Sequence, residues 1–224
     1  MVHPAWRRGS WLLLAFLFAL ASTARAADTE YRDFSISVDG KPSGNSQFTI
    51  ARQTDGSFTV STQAVVRITG VFFKYEFSAQ TSETWKEGRL VTLNASTNDN
   101  GKRVELKASA MGPSLHVKVN NQAERTARPD VWTNSFWKLA DAKYHNKELP
   151  ILEEDTGKEF TGRLMYLGTE SLTLANQKQD CYHFRLTGGA YPVDLWFDRY
   201  HLLVKQDFVE SGHRTIMTLT NIRR

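Results

Sequence analysis

Asp194, Trp196 and Asp198 alternate along one short stretch of the chain. Alternate residues of a strand share a face, so two carboxylates and an indole would stand in a row. A rise of about 3.3 Å per residue separates the carboxylates by ~13 Å, beyond the roughly 5–9.5 Å that the acid and base of a glycosidase require. Two roles fit the row. Trp196 could be a stacking platform for a sugar or lipid headgroup with the aspartates as acceptors, or Asp198 could open the turn through Arg199 and Tyr200 while Trp196 packs. Cys181 and His183 share a face of the preceding strand, but two ligands at i and i+2 do not make a zinc site, which takes four. His116, His145, His183, His201 and His213 are scattered. The chain has no Gly-x-Ser-x-Gly elbow, no His-Glu-x-x-His, no paired cysteines and no glycine-rich phosphate loop. Glu153 to Asp155 lack the alternating oxygen ligands of a calcium loop and read as a solvated turn. These residues therefore assign no catalytic group, metal or cofactor.

The elements that must position these side chains read mostly as strands. Phe34, Ile36 and Val38 alternate with serines, and Asp39 to Gly44 supply a turn before Phe48 and Ile50 resume the pattern. Phe58, Val60, Thr62, Ala64, Val66 and Ile68 then fall on one face, the mark of an antiparallel sheet with one buried side. The alternation continues through Tyr75 to Ala79, Val91 to Ala95, Val104 to Ala108 and Leu115 to Val119, with Asn100–Gly101 suited to a tight hairpin. It returns after Pro150 at Phe160 to Leu174, Tyr182 to Leu186, Val193 to Phe197, Leu202 to Val209 and Thr215 to Ile222. One interruption breaks the period. From Pro129 to Lys143, Trp132, Phe136 and Leu139 recur at four- and three-residue spacing behind Asp130, which predicts a short amphipathic helix. The fold class is therefore mainly β: a curved antiparallel meander or half-open barrel, with that helix on its concave face and Trp132 or Trp137 plugging the interior. Val71, Phe72 and Phe73 put apolar groups on both faces beside Gly70, so Phe72 and Phe73 are candidates for the lip of a hydrophobic cavity.

Arg7 and Arg8 precede an apolar run from Trp11 to Ala21, and Ala24 to Ala26 form a small-x-small cleavage site, as in a secretory signal peptide. The run is too short to span a membrane, and no second candidate follows. The division is thus a signal at 1–26 and a single domain at 27–224, exported to the periplasm or beyond, with no transmembrane segment after cleavage. The chain carries 28 Lys+Arg against 24 Asp+Glu. Removing Arg7, Arg8 and Arg25 leaves 25 − 24 = +1, so the mature domain lacks the clustered cations that nucleic acid requires. Cys181, the single cysteine, forms no internal disulfide and is expected to be a buried, inert thiol.

Three groups of residues carry a resemblance. Glu83, Trp85, Gly88 and Leu90, then Asn134 to Trp137, then Asp194 to Asp198, resemble an exported bacterial family, domain-of-unknown-function family 6134. That family has no assigned activity, so the resemblance implies a fold and a compartment but no catalytic residues. In architecture alone, a curved sheet closed by a helix is similar to the half-barrel of the periplasmic lipoprotein carriers LolA and LolB. The sequence points to a non-catalytic binding or envelope module with an apolar cavity for a lipid, another hydrophobic ligand or an envelope protein. The alternative is a glycan-binding or glycan-modifying protein that uses Asp194, Trp196, Asp198 and a histidine such as His183.

Overall fold

The computed structural model describes residues 28–70 and 74–224. The leader read at residues 1–26 and the pair Phe72 and Phe73 lie outside the described residues. Fifteen strands form one sheet among the described residues. The first seven are β1 (Asp28–Val38), β2 (Lys41–Arg52), β3 (Phe58–Thr69), β4 (Lys74–Lys86), β5 (Arg89–Asp99), β6 (Lys102–Met111) and β7 (Ser114–Val119). Two short pieces follow, β8 (Arg125–Ala127) and β9 (Trp132–Thr133). The rest are β10 (Lys147–Leu152), β11 (Glu159–Leu174), β12 (Gln177–Thr187), β13 (Val193–Phe197), β14 (Leu203–Glu210) and β15 (His213–Arg223).

The strands pair with their sequence neighbours in an antiparallel meander, and β1 pairs with β15 to join the two halves. The exception is β9, which runs parallel to β10 through Trp132↔Ile151 and Thr133↔Leu152. The order runs from β8 at one edge to β9 at the other. These edge strands are consecutive in the chain, so the sheet rolls until its edges come within one short connection. A twisted sheet of this many strands has to curl in this way. Among the described residues no ladder closes the seam. Instead, Arg125 of β8 donates to Glu159 of β11 and to the Gly157 carbonyl.

The alternation read from the sequence sets the two faces. Directly opposed residues of an antiparallel ladder share a face, so Val60, Glu83, Leu93 and Ala108 lie in one inward row. Phe34, Leu219 and Val204, and Phe184 with Leu195, point inward from the other half. They join one core cluster.

The predicted helix over Pro129–Lys143 is not there. The segment holds the two-residue β9 and, at its end, a single 3-10 turn at Ala142–Tyr144. The spacing misled because it presumes one wet face, whereas Val131, Trp132, Thr133, Ser135, Phe136, Trp137, Leu139 and Ala140 are all buried. Phe136 also takes φ 46°, which a right-handed helix does not accommodate. The segment is an extended plug. It crosses one end of the rolled sheet, where the Leu139 N–H donates to the His201 carbonyl at 2.8 Å and the Leu203 N–H to the Trp137 carbonyl at 3.0 Å. Trp132 and Trp137 do fill the interior, 5.0 and 6.3 Å from the Trp85 ring.

The turn after β10 closes against the far side of the seam. Gly157 has φ +70°, and a Cβ there would stand 2.4 Å from Val119 Cγ2 and 2.9 Å from Leu106 Cδ1. Gly157→Ala is expected to cost about 2–4 kcal/mol, combining left-handed strain with overpacking. Gly56→Ala, at φ +81° with nothing within 4 Å, should cost only about 1 kcal/mol. Urea denaturation of the two variants checks the difference; equal losses would show that Gly157 seals nothing.

Candidate functional site

The plug gathers the first two resemblance groups around a buried carboxylate. Glu83 points inward from β4, and its Oε2 accepts from Trp85 Nε1 at 2.5 Å and from Thr133 Oγ1 at 3.0 Å. Thr133 also bonds Ser135 at 2.9 Å. Glu154, on the turn after β10, donates its N–H to Asn134 Oδ1 at 2.8 Å and sets its carboxyl against Glu83. Burial first, then the Glu83 charge, pushes the Glu154 carboxyl well above its usual range. The alternation alone put Glu83 on the apolar face between Thr81 and Trp85. A charged residue at an inward position was therefore a usable signal, and the sequence reading passed over it.

The third group divides in two. Asp198 is buried at the start of the β13–β14 turn, where its Oδ1 accepts from the N–H groups of Tyr200 at 2.8 Å and Leu202 at 3.0 Å. Its Oδ2 meets Arg32 Nη2 at 2.5 Å. Arg32, fully buried, also reaches the Leu203 carbonyl at 3.0 Å and Glu30 Oε1 at 2.6 Å. Burial pushes the Glu30 carboxyl up, but Arg224 and Arg32 together hold it below its usual value. The Asp198 carboxylate is thus fully used in holding the turn to β1.

Trp196 and Asp194 stand on the outer face, as does His183, so the histidine named in the glycan reading does meet them. The His183 ring stacks on Trp196 at 4.2 Å and 14°, and Lys205 Nζ lies 4.1 Å from the indole centroid. β12 and β14 flank β13 on opposite sides, so both sides of the indole are occupied and Trp196 is buried. Glu170 accepts from Trp196 Nε1 at 2.9 Å and meets His183 Nδ1 at 2.6 Å. His183 Nε2 lies 3.2 Å from Asp194, which Arg185 clasps through both carboxylate oxygens at 2.8 and 2.7 Å. Burial pushes the Asp194 carboxyl up, while Arg185 and His183 outweigh it and hold it low. Nearby Cys181 is a free, buried thiol that burial raises to about 11, which suits the expected inert role.

The other end of the rolled sheet is less covered. Along β3 and β4 the inward row passes from fully buried Val60 and Glu83 to half-buried Ala64, Val66, Ile68, Phe77 and Ala79. At the boundary, the paired Thr62 and Thr81 are only 8% and 7% exposed, and neither hydroxyl has a hydrogen-bond partner. At the rim, Tyr75 stands near Asp99 and Tyr191 near Glu210, with Asp155 close to both tyrosines. Burial and then these carboxylates push both phenols up.

Two hollows lie elsewhere on the surface. One of about 820 Å³ is bordered by Tyr144, Asn146, Lys147, Arg163 and Thr187. The other, of about 410 Å³, is a polar valley on the outer face of β3–β6 beside Gln63, Gln80, Ser82, Asn94 and Ser96.

Residues 34–220 match the family model described as Domain of unknown function (DUF6134). The chain belongs to this family. No curated protein matches the chain. Among solved structures it is similar to the crystal structure of a β-barrel-like protein of domain of unknown function DUF1849 from Brucella abortus. The TM-score is 0.64 at 10% identity, over 87% of this chain and 96% of that one. At that identity the likeness is one of fold, and it places the rolled sheet among barrel-like architectures.

The two kinds of ion pair described above should differ sharply in weight. Arg32→Met leaves buried Asp198 without its cation, while half-buried Glu30 keeps Arg224, and should cost about 3–5 kcal/mol. Arg185→Ala, at an exposed guanidinium, should cost about 0–1 kcal/mol. Urea unfolding midpoints compare them directly, and a loss for Arg32→Met as small as that for Arg185→Ala would contradict this reading.

Proposed function

We propose that this protein is an exported, non-catalytic binding module of the cell envelope that holds a lipid or similar amphiphile against the inner wall of its less covered end. The observation that carries the reading is the pairing of half-buried Ala64, Val66, Ile68, Phe77 and Ala79 with the unpartnered Thr62 and Thr81 hydroxyls beneath them. Ligand sites are mostly apolar with a few convergent polar groups, and buried hydroxyls normally find a partner. A ligand oxygen would supply one. The opposite end is filled by Trp132, Trp137 and Phe136, so a ligand would enter from the β3–β4 side and stop at the threonines.

Two further points support a binding module over an enzyme. The described carboxylates of the Asp194–Asp198 stretch are already held by arginines, and the Trp196 ring is covered on both sides, so neither is free for a sugar. A barrel-like fold also suits the distant likeness to lipoprotein carriers, although that likeness is architectural alone.

Native mass spectrometry of the mature protein, purified from its own compartment without detergent, tests the proposal. The expected spectrum shows one added lipid-sized mass that disappears on unfolding, on a polypeptide beginning at Ala27. Val66→Asp and Phe77→Asp, both at half-buried positions, should fold and lose that mass. Bare polypeptide in every charge state, or ligand retained by both variants, would refute the site.

A further inference from the structure

The Glu83–Glu154 contact has a consequence that does not depend on any ligand. Both residues are buried, at 0% and 8% exposure. Glu83 Oε2 has two donors, while Glu83 Oε1 and Glu154 Oε1 have none. Among the described residues neither carboxyl pairs with a cation. Two facing carboxyl groups that each leave one oxygen without a donor are satisfied when one carries a proton and donates it to the other.

We infer that Glu154 and Glu83 form a proton-operated latch, closed when Glu154 is protonated and donating to the Glu83 carboxylate, and released when both are charged. What the latch holds is defined by the contacts of its turn. Glu154 is tied to the plug through Asn134. Three residues on, Gly157 packs against Val119 and Leu106 and accepts from Arg125 across the seam. Glu83 belongs to the wall strand β4. The pair therefore joins wall, plug and seam at one point. A second charge there would be unpaired in a buried setting, and expelling the turn toward water is the available relief.

The other groups around the pair make charging harder. Asp155, the next residue of the same turn, adds negative charge. Glu83 is met from β4 by Trp85 and from the plug by Thr133, both neutral. Arg125, the cation that reaches the turn, is committed to Glu159 and the Gly157 carbonyl. Glu210 and Asp99 lie beyond Asp155 at the rim.

The sign follows from the raised carboxyl. A carboxyl whose folded value lies above its unfolded value binds its proton more tightly in the folded protein. Its contribution is complete below the ordinary glutamate value near 4.5 and is lost as pH rises through the folded value. Glu30 and Asp194, held low, act in the opposite sense: their contribution is lost as pH falls below the ordinary carboxylate range.

Amide exchange in the turn around residues 153–158, corrected for intrinsic rate and followed from about pH 5 to about pH 9, tests the latch. In the unaltered protein, opening of this turn should rise about tenfold for each pH unit between the ordinary glutamate value near 4.5 and the raised Glu154 value, and level off above it. Glu154→Gln donates a hydrogen bond to Glu83 and cannot ionise, so its turn should stay closed across the range. Glu83→Gln removes the opposing charge but not the burial of Glu154, so it should narrow the pH range of the rise without abolishing it. Identical profiles for the unaltered protein and the glutamine variants would overturn the inference. Should those variants fail to fold, the Glu154 carboxyl carbon shift in the unaltered protein decides: titration well above 4.5 supports the latch, and titration at the ordinary value overturns it.

Discussion

A rolled sheet whose edges do not hydrogen-bond to each other needs something else to keep it rolled, and that requirement shapes most of this molecule. β8 and β9 are too short to form a closing ladder, and the chain between them turns inward instead of continuing along the sheet. Closure therefore falls to side chains and to the plug. Arg125 spans the seam, Gly157 fits beneath Val119 and Leu106, and the tryptophans of the plug fill space that a sheet this wide cannot fill with its own side chains. One end is closed by the same segment that hides the edges. At the other end the turn after β10 reaches the rim, with Asp155 close to Tyr75 and Tyr191, and the β3–β4 inner wall is half-covered.

Buried charge is placed with the same economy. Four buried ionisable groups lie where two distant parts of the chain must be held in fixed register: Arg32 and Asp198 amid donors and counter-ions, Glu83 and Glu154 against each other. Arg32 ties β1 to the β13–β14 turn. Glu83 and Glu154 tie β4 to the turn after β10, and they achieve this with a proton in place of a cation. Apolar side chains alone would tolerate many registers, and such groups select one.

Much of the sheet was legible because a half-buried strand announces itself with period two. The strands through Phe34, Phe58–Ile68 and Thr215–Ile222 lie where the alternation put them. Asn100 takes the positive φ that its position before Gly101 implied. Residues 129–143 were misread because helical spacing is informative only when one face is wet, and this segment is enclosed on all sides. The family-like residues were legible as a set, but their partners were not. Glu83 needs Glu154, and Asp198 needs Arg32. No local pattern relates residues that far apart in sequence; only the rolling of the sheet brings them together. His183 and Trp196 were proposed as neighbours and are neighbours, because adjacent strands of one hairpin have a register that sequence can anticipate.

The pairing of β1 with β15 sets the order in which the chain can assemble. Nearly every other ladder joins strands adjacent in sequence and can form by local hairpin closure. This one joins the first strand to the last, so the two halves of the sheet become one only after the whole chain is present. Because Tyr31 faces Arg223, the two described termini lie side by side. A short linker could join them and new ends could be opened at an exposed hairpin such as Asp39–Gly40. Such a circular permutation would turn the slowest contact of the native order into a local one.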